Sequence, residues 1–131
     1  MSVVVGKIPT KEGRAALEHA GREARLRGCP LVVVSSTSGD TDAGADRETD
    51  AVLETVRADL AEAGVEVTEH ASTEGRAPAD DLLEVADSLD AQCIVIGLRR
   101  RSPIGKLILG SNAQRILLEA PCPVVAVKAA G

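Results

Sequence analysis

Apolar residues fall along the chain in two kinds of run. "SVVVGKI" (2–8), "PLVVVSS" (30–36) and "QCIVIG" (92–97) are short and dominated by apolar, often β-branched side chains, the pattern of strands covered on both faces. "VEVTEHA" (65–71) alternates apolar and polar positions, as a strand with one wetter face near a sheet edge does, and "CPVVAVK" (122–128) supplies a fifth strand. Between these runs the spacing is helical. Ala16, Ala20 and Ala24 give a small-residue stripe to a helix of about 11–27, with Pro9 ending the strand, Thr10 as N-cap and Gly28 as stop. Val52, Leu53, Val56 and Leu60 mark a second helix, closed by Gly64. Leu82, Leu83, Ala86 and Leu89 mark a third that opens at Pro78, and Ile116 and Leu117 a short fourth from Ser111. "TSGDTDAGAD" (37–46) has no apolar period and is expected to be a loop.

Strand and helix therefore alternate from end to end. That pattern predicts an α/β fold, a single domain over 1–131 built as a doubly wound five-stranded parallel sheet with helices on both faces and right-handed crossovers. In such sheets ligands bind beyond the C-terminal ends of the strands, where the strand order reverses. The loops after strands one and four are the expected site.

Composition removes several alternatives. The 131 residues are 44% hydrophobic yet include no Phe, Tyr or Trp, which argues against a single-stranded nucleic-acid binder, since those stack bases on aromatic faces. No apolar run approaches the ~20 residues of a membrane span, and "MSVVVGKIPT" lacks the basic region and cleavage site of a signal peptide, so a cytoplasmic protein with no membrane partner is expected. Cys29, Cys93 and Cys122 stand apart without a CxxC and read as reduced core thiols, with no metal site; His19 and His70 are equally isolated. Charge is uneven. Residues 37–90 carry sixteen acids against three arginines, whereas 91–131 carry Glu119 against six cations, so an acidic body that repels DNA bears one cationic loop.

That loop lies within "GLRRRSPIGKLILGSNAQ" (97–114). A helix starting at Ser111 offers unpaired N–H groups and about half a positive charge. Gly110 admits a phosphate without a Cβ in the way, and Gly97 suits a close approach beneath a ribose or base. Arg99, Arg100, Arg101 and Lys106 lie close in sequence, and each is worth about 1.5–3 kcal/mol if it makes a charge-assisted bond. Gly105-Lys106 is followed by Leu107, so it is not a Walker A loop, and "VVVGKIPTKEG" lacks the three spaced glycines of a dinucleotide fingerprint. There is no GxSxG, HExxH or usable Ser-His-Asp set, and Asp80-Asp81 sits where carboxylates complement a helix dipole. With no catalytic constellation, the chain is not expected to be an enzyme.

Gly97, two residues, Arg100, nine residues and Gly110-Ser111 follow the spacing of the adenine-nucleotide loop of the universal stress protein family, which the chain resembles over essentially its whole length, including the closing "PCPVVAVK". The resemblance implies the strand order 3-2-1-4-5 of the adenine nucleotide alpha hydrolase-like folds. It also implies a site for ATP or AMP drawn from Ile8, Pro9, Ile96, Gly97, Arg99, Arg100, Gly110, Ser111 and Asn112, a role in stress response or signalling, and a homodimer formed through Pro123–Lys128. Two residues depart from the pattern. Arg100 replaces the second glycine, where it either fills the groove or clamps a phosphate. Ile8 stands where the family commonly has the aspartate that bonds adenine, a loss worth about 1.5–3 kcal/mol, or ten- to a hundred-fold in affinity. A phosphate site with a loosened base pocket is one expectation; a nucleotide-free dimeric interaction protein is the other.

Overall fold

A computed structural model describes residues 1–35, 43–72, 75–98 and 109–129. The elements run β1 (Val3–Lys7), α1 (Lys11–Arg27), β2 (Leu31–Ser35), α2 (Ala43–Glu62), β3 (Val67–Ala71), α3 (Pro78–Ser88), β4 (Cys93–Leu98), α4 (Ser111–Glu119) and β5 (Val124–Lys128). All strand pairs are parallel, in the order β3-β2-β1-β4-β5. Both the doubly wound sheet and the order implied by the resemblance are therefore present.

Strand periodicity divides the core into two layers. Val3, Val5, Leu31, Val33, Cys93 and Val95 share one face with Ala16, Leu17, Ala20 and Ala24 of α1 and Leu53, Val56 and Leu60 of α2. Val4, Val32, Val34, Ile94 and Ile96 share the other with Ala79, Leu82 and Ala86 of α3 and Ile116 of α4. The three central strands are thus buried on both sides, which is why they read as unbroken apolar runs. β3 and β5 end the sheet, and Glu69, His70 and Ala71 are exposed. The alanine stripe of α1 lets it lie close against the sheet, and Gly21 brings it equally close to α2: a Cβ there would stand 2.9 Å from Val56 Cγ1.

Helix ends follow the expected chemistry. Thr10 Oγ1 accepts from the Gly13 N–H at 3.0 Å, and Gly28 closes α1 at φ +64°, a conformation that favours glycine. Several boundaries move. Ile8 lies beyond β1, and Pro123 precedes β5. Residues 43–46, expected to be loop, form the first turn of α2, where Asp46 complements the helix dipole; 37–42 lie outside the described residues. The α3 stripe is Ala79, Leu82 and Ala86, with Leu83 partly buried and Leu89 past the helix end and exposed. Leu117 is likewise exposed, leaving Ile116 as the buried residue of α4. Cys29 and Cys93 are buried free thiols and Cys122 a partly buried one; burial pushes the Cys93 and Cys122 thiols up, away from reactivity. No described helix is long and apolar enough to cross a membrane. Among the described residues no three metal-ligating side chains gather.

Candidate functional site

β1 and β4 are neighbours whose chains leave toward opposite faces, so their C-terminal ends form the switch point of the sheet. A cleft of about 440 Å³ opens there, lined by Ile8, Thr10, Glu12 and Gly13 from one side and Gly97, Leu98, Leu109, Gly110, Asn112 and Ala113 from the other. A second cavity of about 250 Å³ adjoins it, sharing Ile8, Gly97 and Asn112 and adding Pro9, Leu82, Ile96 and Ile116. Ile8, Pro9, Ile96, Gly97, Gly110 and Asn112, all singled out from sequence, are thus gathered in one place. Ser111 opens the helix at its rim and is exposed. Arg99 and Arg100, with Arg101 and Lys106, lie outside the described residues.

Two glycines set the shape of the cleft. A Cβ on Gly97 would stand 2.2 Å from the Glu12 carbonyl oxygen, and one on Gly13 would stand 2.2 Å from the Ile8 carbonyl oxygen. The first turn of α1 therefore rests directly on the ends of β1 and β4. Gly97 has a packing duty beyond the one read from sequence: it seats α1 as well as lining the cavity. Gly13 was missed, although a glycine one turn inside a helix costs about 1 kcal/mol against alanine and so marks a close approach.

The α4 N-terminus carries the polarity of the cleft. Gly110 is its N-cap, no described side chain caps it, and no described residue beyond its chain neighbours lies within 4 Å of where a Gly110 Cβ would be. The Gln114 N–H is the first to find the helix, on the Gly110 carbonyl at 3.0 Å, so the N–H groups of Ser111, Asn112 and Ala113 have no acceptor within the first turn among the described residues. The Gln114 side chain donates to the Leu109 carbonyl at 3.1 Å and fixes the approach to the helix. At the α3 N-terminus, which lies beside it, the donors are taken. Ala79 N–H donates to Asn112 Oδ1 at 3.1 Å, Asp80 N–H to the Ala77 carbonyl at 3.0 Å, and Ala77 N–H to Asp80 Oδ2 at 3.2 Å. Among the described residues, the α4 N-terminus and not that of α3 therefore keeps donors without an acceptor. Asn112 contributes its backbone to the open turn while its side-chain oxygen caps a different helix. Asn112→Ala should lower stability by about 1 kcal/mol, the usual value of an N-cap, read as a fall of roughly 4 °C in Tm.

Several charges on the elements around the cleft are paired among the described residues. Lys7 meets Asp50, and Arg14 reaches Glu48 at 3.3 Å and Thr49 at 3.4 Å. Arg115 of α4 bonds Asp80 of α3 at 2.6 Å and Glu119 at 3.2 Å, while Asp81 is buried with Arg76 3.3 Å away. Glu12 is among the residues that line the cleft.

The Asp80 carboxyl is held below its usual value of 3.8, first by the hydrogen bond from Arg115, and that of Glu23 below 4.5, first by the bond from Arg27. Both folded values are depressed, so these links contribute fully above the ordinary carboxylate range and fade as pH falls through the folded values. Thermal scans from pH 7 to 3 should show a fall in Tm setting in below about pH 4, and in Arg115→Ala the part due to Asp80 should be missing.

The model of the universal stress protein family matches residues 1–128. A universal stress protein of Mycolicibacterium smegmatis is 43% identical over 129 residues, 98% of each chain. Two structures from Archaeoglobus fulgidus each align over 98% of both chains. One, a universal stress protein, is 39% identical with a TM-score of 0.71; the other, the universal stress protein in complex with dAMP, is 34% identical with a TM-score of 0.67. On this likeness along the whole chain, together with the sheet order and the cleft at its switch point, the protein belongs to the universal stress protein family.

Proposed function

We propose that the cleft binds a phosphate-bearing small molecule of the nucleotide class, ATP- or AMP-like, through the open first turn of α4, and discriminates poorly between bases. The observation that carries this reading is the α4 N-terminus, which no described side chain caps, on a 440 Å³ cleft with no described residue beyond its chain neighbours close to Gly110. The dAMP complex of the Archaeoglobus fulgidus protein supports the ligand class. Loss of base choice follows from Ile8, which brings an alkyl group where the family commonly has a carboxylate. Binding serves signalling or protection under stress and not turnover, since the described walls of the cleft offer Glu12 and Thr10 but no nucleophile–base pair.

Calorimetric titration with ATP and GTP at low and moderate salt tests this. Affinities within about threefold of each other, both falling as salt rises, are expected. ATP bound tenfold or more tightly than GTP would contradict it.

A second reading, a dimer without nucleotide, is favoured by β5. The sheet ends there with Val124, Val125 and Val127 only partly buried, and an apolar edge invites pairing with a second copy. A dimer in sedimentation that persists without ligand, together with silent titrations, is the outcome that reading expects.

A further inference from the structure

We infer that the pocket between α3 and the end of β3 binds a small primary ammonium compound with a short alkyl chain, its cation held by Asp81 and Glu84. The site lies apart from the cleft and shares no described lining residue with it or with the cavity that adjoins it.

Asp81, Glu84, Val85 and Ser88 recur turn by turn along α3 and line a cavity of about 240 Å³. Across it stand Val34 of β2 and its register partner His70 of β3. Asp81 is a charged residue at a position where burial ordinarily calls for an apolar one: it is 7% exposed, and its Oδ2 has no hydrogen-bond partner among the described residues. A buried polar atom left in that state costs free energy, and a ligand that brings a donor to the carboxylate offsets the cost.

The charges favour a cationic donor. Arg76 Nη1 stands 2.5 Å from Glu84 Oε2 and 3.3 Å from Asp81 Oδ1. The two carboxylates therefore converge within reach of one nitrogen, yet share a single guanidinium. An ammonium group carries three donors on one nitrogen, so it can meet both carboxylates and balance the remaining charge. No three metal-ligating side chains gather among the described residues, which favours an organic cation over a metal ion. Val34, Ala71, Val85 and Leu89 give the cavity an apolar side suited to an alkyl chain. Its volume is below the roughly 300–1,000 Å³ of drug-sized sites, so that chain is short.

Amide NMR titrations of the intact ¹⁵N-labelled protein at pH 7.5 and matched ionic strength, with n-butylammonium chloride and with 1-butanol, test this. The two probes share the alkyl chain and differ in charge. Butylammonium should give saturating shifts centred on Ala71, Asp81 and Val85 and bind about tenfold or more tightly than butanol, the margin of a charged over a neutral hydrogen bond. Asp81→Asn should remove that margin. Glu69→Gln, which takes an acid from β3 outside the described lining, should change affinity less than twofold. Equal affinity for the two probes, saturating shifts confined to other amides, no shifts at all, or a folded Asp81→Asn variant that binds butylammonium undiminished would each overturn the assignment. The comparison of probes on the unaltered protein decides the matter even where Asp81→Asn does not fold.

Discussion

Replacing Gly97 by alanine should lower stability by about 3 kcal/mol and Tm by roughly 10 °C, although the substitution adds one methyl group. Overpacking a core side chain usually costs about 1–3 kcal/mol, because neighbours rotate out of the way. The neighbour here is the backbone carbonyl of Glu12, 2.2 Å from the new Cβ, and it cannot rotate. The first turn of α1 must lift from β4, loosening the Thr10–Gly13 cap and the packing of Ala16 and Leu17 behind it. Gly13→Ala presses on the Ile8 carbonyl in the same way. The two should not add, since each relieves part of the strain caused by the other. Gly110→Ala is the control. With no described residue beyond its chain neighbours near its side and an ordinary φ of −70°, it should shift stability by less than about 0.5 kcal/mol. Thermal unfolding of the three variants side by side checks this.

Ile8→Asp should raise affinity for adenine nucleotides ten- to a hundred-fold while leaving GTP nearly unchanged. Ile8 is 37% exposed and lies outside β1, so a carboxylate there keeps access to water and folding is little affected. The change removes the alkyl group that crowds the pocket toward β2 and supplies the acceptor that the family resemblance places at this position. A charge-assisted bond of that kind is worth about 1.5–3 kcal/mol. The new carboxylate also repels the phosphates of a bound nucleotide, which offsets part of the gain at low salt. The ratio of ATP to GTP affinity, measured in both proteins, isolates base recognition from phosphate binding; an unchanged ratio would place the base elsewhere.

The fold was legible because the central strands are covered on both faces, and that condition writes itself into sequence as the valine and isoleucine runs of β1, β2 and β4. β3 was equally legible through its alternation, since its end is exposed. The α3 stripe read too wide: periodicity alone could not show that the helix stops at Ser88, before Leu89. At the site, Gly97, Gly110 and Ser111 stood out because strand end and helix start impose local rules. The use of Asn112 could not be read, because its partner Ala79 lies 33 residues earlier and meets it only once both helices are packed. Glu12 was invisible for the same reason, and Gly13 showed only as a glycine inside a helix: their importance arises from Gly97 and Ile8, which the fold brings against them. Local chemistry is written locally, whereas a close approach between elements shows only as an oddly placed glycine.

The most direct test of the phosphate site is a backbone amide NMR titration of ¹⁵N-labelled protein with inorganic pyrophosphate. The largest shifts should fall on Ser111, Asn112 and Ala113, the open donors of α4, and Ala79, whose N–H is already bonded, should move less. Saturating shifts confined to other amides, or none at all, would contradict the claim that the α4 N-terminus holds the phosphate.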